Sequence, residues 1–237
     1  SHPELLDWLA IQLVKNKWSL KKLHRLIVTS STYRQSTAVS EKTREVDPEN
    51  KLFSRFERRR LTGEEMRDAI LSASGRLNPE QFGLPIFPPL ADGIEEAVKY
   101  DQSKWDTQFG PEGRKRSLYI YQQRTLAMPF LQTFDALVCD ESRPRRRASV
   151  TPLQALALAN GRLVNEEAVY FAKRIRSKTD DDPAAQITYA FQVAFARKPD
   201  SAEVQQMQTF MEQAQKGDPL ASLCRILLNA NEFAYID

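Results

Sequence analysis

Residues 60–77 read RLTGEEMRDAILSASGRL, and this stretch carries the clearest helix signal in the chain. Thr62 and Glu65 have the T-x-x-E spacing of a capping box, in which each side chain accepts a hydrogen bond from a backbone N–H at the helix start. Gly75 stands where the helix would end, because glycine readily adopts the left-handed conformation of a C-terminal cap. Four apolar residues fall on one face: Met66, Ala69, Ile70 and Ala73. The stretch therefore predicts an amphipathic helix.

The same helical period extends outward toward both ends of the chain. Residues 1–17 (SHPELLDWLAIQLVKNK) and 18–30 (WSLKKLHRLIVTS) each place leucines on one face, and Ser19 is a suitable cap for the second of these helices. Toward the C-terminus, capping residues recur at intervals of roughly 15 to 20 residues, which is typical of short antiparallel helices packed side by side. The predicted starts are Thr151, Asn165, Asp182, Ser201 and Asp218. The predicted fold class is mainly α, a multi-helix array packed orthogonally or antiparallel.

A long insertion rich in proline and glycine interrupts the helices. Residues 76–115 contain five prolines and four glycines, which disfavour a regular helix. Residues 117–123, SLYIYQQ, alternate and are aromatic and β-branched, which predicts a small β element whose partner strand the insertion would supply. We expect a single mainly helical domain over residues 1–237, a fragment of a longer chain. Its subregions are the N-terminal helices (1–75), the irregular insertion (76–115), and the strand with the C-terminal helices (116–237).

The composition argues against several kinds of site and partner. The chain has 34 basic and 31 acidic residues, and its net charge of +3 is too small by itself to indicate a nucleic-acid partner. Cys139 and Cys224 are the only cysteines, and neither lies in a C-x-x-C motif. We therefore expect no metal site and no cofactor in this chain, although the pairing of the two cysteines stays open. No run approaches the roughly 20 apolar residues of a membrane span.

Arginine clusters are the strongest local feature with a chemical use. Three clusters each precede a regular element: Arg58, Arg59 and Arg60; Arg114, Lys115 and Arg116; and Arg143, Arg145, Arg146 and Arg147. The planar guanidinium donates two parallel hydrogen bonds to carboxylate, sulfate or phosphate, so converging clusters would form an anion site. In the alternative interpretation, the clusters pair internally with acids such as Glu64, Glu65 and Asp68.

Other candidate residues have an equally ordinary structural interpretation. Tyr119 and Tyr121, next to Arg116, could form a stacking platform for a sugar or a base, or could simply line one face of a half-buried strand. His24 could act as an acid or base with a distant carboxylate, but a packed histidine is the simpler interpretation. No G-x-S-x-G, H-E-x-x-H or Walker pattern occurs.

Several blocks in a fixed order resemble one known family. They are HPELLDWLA (2–10), WSLKKLHRLIVTSSTYRQS (18–36), RRLTGEEMRDAILSASGRL (59–77), RSLYIYQQRT (116–125), FDA (134–136), RRRASVTPLQALALANGRLV (145–164) and LCRILLNANEFAYID (223–237). Together they resemble the C-terminal uncharacterised domain of large exported proteins of planctomycete type, which often also carry a cytochrome-c-like domain. The chain departs from the family at Ser142, where the family has a cysteine, and at Leu137, where it has a proline.

The resemblance implies an extracytoplasmic location, in the periplasm or at the cell surface. It also implies a longer parent chain whose other domains would carry the export signal and any haem. The family has no established reaction, so the resemblance implies none.

Two functional hypotheses follow. In the first, the chain is an accessory domain, non-catalytic, that binds a partner domain of the parent chain or an anionic polysaccharide through its arginine-rich loops. The second is a polysaccharide-active hydrolase with a carboxylate or His/acid site under the 76–115 segment. Nucleic-acid binding is the weakest of the interpretations because the net charge is small.

Overall fold

The computed structural model describes residues 2–90, 105–123, 127–137, 146, 148–214 and 217–236. The mainly α fold predicted from the sequence is confirmed. The chain forms two compact units, one comprising Ser1–Arg59 with Tyr235–Asp237 and the other Arg60–Ala234. Two short strands, β1 (Arg59–Arg60) and β2 (Tyr235–Ile236), form a two-stranded sheet. No helix in the described part of the chain has both the length and the apolar character needed to cross a membrane.

The first unit contains three short helices, α1 (Pro3–Lys15), α2 (Leu20–Val28) and α3 (Glu41–Val46). Ser19 caps α2 as predicted, because its hydroxyl accepts a hydrogen bond from Lys22 N. None of these three helices contains a buried residue. The leucine faces predicted for α1 and α2 are therefore present but are not packed into a core.

The second unit contains the other helices of the described residues. They are α4 (Gly63–Ser74), α5 (Pro129–Thr133), α6 (Pro152–Asn160), α7 (Arg162–Arg176), α8 (Pro183–Phe195), α9 (Ser201–Gln213), α10 (Pro219–Leu228) and α11 (Asn231–Ala234). The capping box at the start of α4 is confirmed, with Thr62 N donating to Glu65 Oε2 at 2.9 Å and Glu65 N donating to Thr62 Oγ1 at 3.2 Å. Gly75 ends α4 in the left-handed conformation, at φ 78°.

Helix α7 lies at the centre of this unit and packs against both α4 and α10. One stripe of α7 is buried: Val164, Glu167, Ala168, Phe171, Ala172 and Ile175. The spacing of three and four residues places this stripe on a single face, as expected for a helix that packs against two others. The prediction that Asn165 caps this helix is wrong. Helix α7 begins at Arg162, and the extended backbone of Gly161 both ends α6 and starts α7.

The insertion and the predicted strand form a separate small core. Residues 117–123 were predicted as a strand, but Ser117–Tyr119 is a 3-10 turn, and Ile120 makes a single parallel bridge with Ile86. The insertion therefore supplies the pairing partner as predicted, but one bridge does not extend into a ladder. Among the described residues, the buried apolar side chains of this core are Ile86, Leu90, Trp105, Ile120, Met128 and Leu131. The packing of these side chains, and not a sheet, supports residues 117–123.

Candidate functional site

A cavity of about 390 Å³ lies between α4, α6, α7 and the insertion. Its wall is mainly apolar and includes Leu71, Leu90, Met128, Phe130, Leu153 and Leu156. Leu153 and Leu156 of α6 are 61% and 54% exposed. An apolar wall with a few charged groups is typical of a small-molecule site of this size.

Arg67 is a buried cation in the wall of this cavity. It lies on α4 between the apolar positions Met66 and Ile70, and only 2% of its surface is exposed. Its Nη2 donates to Gly113 O at 2.7 Å, and its Nη1 donates to Lys115 O and to Ser117 Oγ, each at 3.1 Å. Its Nε has no hydrogen-bond partner. Burial lowers the pKa of Arg67 to about 10, so the guanidinium is still charged at neutral pH.

Asp68 fixes the segment that Arg67 contacts. Asp68 Oδ1 accepts hydrogen bonds from both the backbone N and the Oγ of Ser117, each at 2.7 Å. The block RSLYIYQQ is thus anchored to α4 by two neighbouring residues of opposite charge. These hydrogen bonds hold one side of the cavity in place, and they leave the Nε of Arg67 without a hydrogen-bond partner.

Glu167 is a buried acid in the wall of the same cavity. It occupies a position in the buried stripe of α7, and 3% of its surface is exposed. Its Oε1 lies 3.0 Å from Nη1 of Arg76, whose guanidinium stacks 3.6 Å from the ring centre of Tyr170. Its Oε2 is buried without a hydrogen-bond partner. Burial raises the pKa of the Glu167 carboxyl and outweighs the opposing effects of the neighbouring Ser74 hydroxyl and of the charges of Arg76 and Arg114.

The N-terminus of α7 also borders the cavity. Gly161 is its N-cap residue and offers no side chain to accept the first N–H groups of the helix. The positive end of a helix dipole favours an anion at this position. Arg162, in the first turn, donates through Nε to Glu166 at 2.7 Å. Arg114 lines the same cavity and makes a long hydrogen bond of 3.5 Å to Phe109 O.

Among the described residues, the charges that line the cavity sum to a positive value. Four arginines (Arg67, Arg76, Arg114 and Arg162) and two glutamates (Glu166 and Glu167) line it. Arg76 and Arg162 each pair with one glutamate, whereas Arg114 makes no ion pair with an acid in the described segments. The arrangement can therefore hold an anionic group beside an apolar body.

Arg60, from the first predicted arginine cluster, belongs to a separate polar network. Its Nη2 donates to Asp135 Oδ2 at 2.8 Å, and its Nη1 donates to Ser149 O and to Gln154 Oε1. Asp135 also accepts from Ser149 Oγ at 2.6 Å and from Ser149 N at 2.8 Å. The network ties the FDA block to the start of α6, which gives Arg60 a structural role.

Other described members of the clusters also make internal contacts. Arg146 forms a bidentate pair with Glu64, at 2.7 and 3.0 Å, and Arg116 lies 3.7 Å from Asp68. The guanidinium of Arg58 lies 4.7 Å from the ring centre of Tyr235, and Arg59 is part of β1. Arg143, Arg145 and Arg147 lie outside the described residues, as does Cys139. Ligand binding by these clusters stays a prediction.

The aromatic and histidine candidates are placed separately. The Tyr119 hydroxyl accepts a hydrogen bond from Phe82 N at 2.8 Å, and its ring packs against the core of the insertion. Tyr121 is half exposed, and its ring centre lies 5.1 Å from that of Phe87. His24 is exposed on α2, and Cys224 is buried and free. Tyr119 therefore makes structural contacts with the insertion.

Comparison with protein-family models identifies the family. Residues 1–211 match the model described as PSD1, a protein of unknown function (DUF1553). The chain belongs to this family. The resemblance to an uncharacterised domain family is thereby confirmed, and the DUF1553 match includes every residue named in the cavity wall. Comparisons with curated proteins and with solved structures find no match.

Sequence reasoning missed the two most buried charges of this DUF1553 domain. Arg67 shares the face of Met66 and Ile70, and Glu167 shares the face of Val164 and Phe171. An ionisable residue at a core position of a helix is costly unless it is paired, so such a position is a signal for function. Two such positions on helices that pack together would have pointed to the cavity.

Proposed function

We propose that this chain is a non-catalytic accessory domain that binds an anionic ligand in the cavity between α4, α6 and α7. The observation that carries the proposal is the meeting of Arg67, Arg114 and the uncapped start of α7 in one mainly apolar cavity. Each of these groups favours a negative charge. The apolar wall would contact the uncharged part of the ligand.

The setting of the domain is also part of the proposal. The family resemblance supports an exported, multidomain parent protein that works outside the cytoplasm, with haem, where present, in another domain. An anionic fragment of a polysaccharide or an acidic group of a neighbouring domain would then be the ligand. Membership of a family of unknown function is compatible with this role and assigns no reaction.

Binding can be tested by calorimetry with matched oligosaccharides. We expect uronic or sulfated oligosaccharides to bind and their neutral counterparts not to bind, with affinity falling as salt is raised. The variant Arg114→Gln should weaken binding about tenfold, or about 1.4 kcal/mol, because Arg114 makes no ion pair with an acid in the described segments and so contributes its charge to the ligand. Arg225→Gln, an exposed residue of α10 away from the cavity wall, is the matched control and should bind as the unaltered chain does. Equal affinity for charged and neutral oligosaccharides would contradict the proposal.

A hydrolase is the second candidate, since Glu166 and Glu167 lie under the insertion in the cavity wall. These glutamates are adjacent on one helix, and Glu166 is already paired with Arg162 at 2.7 Å. Glycoside hydrolysis needs two carboxylates facing each other across the bond that breaks. Adjacent helical positions do not face each other, so the geometry favours binding over hydrolysis. Release of reducing sugar from a uronic polysaccharide, lost in Glu167→Gln, would favour the hydrolase instead.

A further inference from the structure

Anion binding does not explain why an acid, Glu167, lies in the cavity wall. An acid in the wall of an anion site repels the ligand that the arginines attract, and its burial at a core position of α7 is costly. Its Oε1 is held by Arg76 at 3.0 Å, but its Oε2 has no partner. A buried acceptor without a donor costs free energy, so an occupant that supplies a donor would be favoured.

The surrounding charges limit which donor can approach Glu167. Four arginines and two glutamates line the same cavity in the part of the chain that the structure describes, so an ammonium group on the ligand would meet more positive than negative charge there. A hydroxyl group donates a hydrogen bond without adding charge. The donor that fits this environment is therefore a hydroxyl.

The shape and lining of the cavity limit the body of the ligand. A volume of about 390 Å³ lies toward the lower end of ligand pockets, which suits a single ring better than a polymer segment. Phe130, Leu153 and Leu156 present C–H-rich surfaces to such a ring.

The geometry points to a cyclic hydroxy acid as the ligand: its carboxylate at Arg67, Arg114 and the start of α7, and its hydroxyl on Glu167. This inference rests on the proposed function and adds the substrate class and a specificity-determining residue. Two sources share the chemistry, namely a uronic acid from a polysaccharide and an aromatic hydroxy acid. In both cases the hydroxyl donates a hydrogen bond to Glu167.

The test compares acids that differ only in their hydroxyls. Calorimetry would use 4-hydroxyphenylacetate against phenylacetate, and the methyl glycoside of glucuronate against 6-methoxytetrahydropyran-2-carboxylate. In at least one pair we expect the hydroxylated acid to bind about tenfold more tightly, and the pair that shows this preference identifies the source. In Glu167→Met, which keeps the side-chain length but removes the acceptor, the preference should fall to about one while the acid without the hydroxyl still binds.

Controls separate this inference from the function on which it rests. Retained binding of the acid without a hydroxyl shows that Glu167→Met is folded, and Glu212→Met, an exposed residue of α9, should keep the preference of the unaltered chain. If no acid of either pair binds, the proposed function fails and this inference fails with it. If the acids bind with no preference, or if Glu167→Met keeps the preference, only the inference is overturned.

Discussion

Asp135 lies at the centre of a hydrogen-bonded network in the second unit. Its carboxylate accepts from Arg60, from the backbone and hydroxyl of Ser149 and, at 3.4 Å, from Gln154 Nε2. Burial acts in the opposite direction, but these hydrogen bonds and the Arg60 charge hold the pKa of Asp135 below its usual range. Its backbone is left-handed, at φ 62°, a conformation that aspartate and asparagine both tolerate.

Asp135→Asn should therefore destabilise the fold through the carboxylate alone. We expect a loss of about 2 kcal/mol in the free energy of unfolding at pH 7, because a charge-assisted network becomes a neutral one. A depressed pKa stabilises the folded state above the ordinary pKa, and this contribution is lost as the pH falls through the folded pKa. The difference between the two proteins should thus shrink toward about pH 3 in urea titrations.

The control for this prediction is Asp181→Asn, at an exposed position before α8. It should leave the unfolding free energy within about 0.5 kcal/mol at both pH values. A difference for Asp135→Asn that does not change with pH would show that its charge is not what stabilises the network.

At the scale of elements, one glycine determines how two helices meet. Gly161 ends α6 and begins α7 without an intervening loop. A Cβ atom at this position would lie 2.2 Å from Ala157 O, although its φ of −63° is ordinary for any residue. The requirement for glycine is thus a close approach of backbone atoms.

Gly161→Ala should shift α7 relative to α6 and lower the free energy of unfolding by about 1–3 kcal/mol, because packed backbone cannot move aside cheaply. The shift would also weaken ligand binding, since Asn160, Arg162 and Leu163 line the cavity. Chemical denaturation and calorimetry measure the two effects.

Gly110→Ala is the matched control, because a Cβ atom there meets nothing within 4 Å. It should be neutral or slightly stabilising, as alanine reduces the freedom of the unfolded chain. Equal stability of the two variants would refute the close-approach argument.

At the scale of the whole molecule, buried apolar side chains are distributed unequally. Within the described residues, every buried hydrophobic side chain belongs to the unit Arg60–Ala234. The other unit exposes large side chains, including Leu6 at 68% and Trp18 at 71%. Resistance to local opening follows buried apolar contact, so the two units should differ in stability.

Hydrogen exchange measured by mass spectrometry should reveal this difference. Each exchange rate is divided by the rate of the same amides in the chain unfolded by denaturant. On this scale we expect the amides of α1 and α2 to exchange roughly a hundredfold faster than those of α7 and α10. Similar protection of all four helices would show that the chain unfolds as one cooperative unit.

The amino-acid sequence by itself determined the helices and their ends. Caps at Ser19, Thr62, Asp182 and Asp218 depend on residues at most four positions away, and the structure has each of these helix starts where it was predicted. The predicted cap was wrong at Ser201 by one residue, since Asp200 caps that helix. It was also wrong at Asn165, where the helix instead begins after Gly161, whose close approach to Ala157 O is a feature of the packed backbone.

Only the tertiary structure decided which charges meet. Arg60 and Asp135 are 75 residues apart, and Arg67 and Glu167 reach one cavity from different helices. The strand predicted at 117–123 became a turn because its segment is held by Arg67, Asp68 and one bridge instead of a ladder. Local propensity acts within a few residues, whereas a site forms where packed helices bring distant side chains together. The energy of that packing depends on several segments at once, so no single stretch of sequence predicts it.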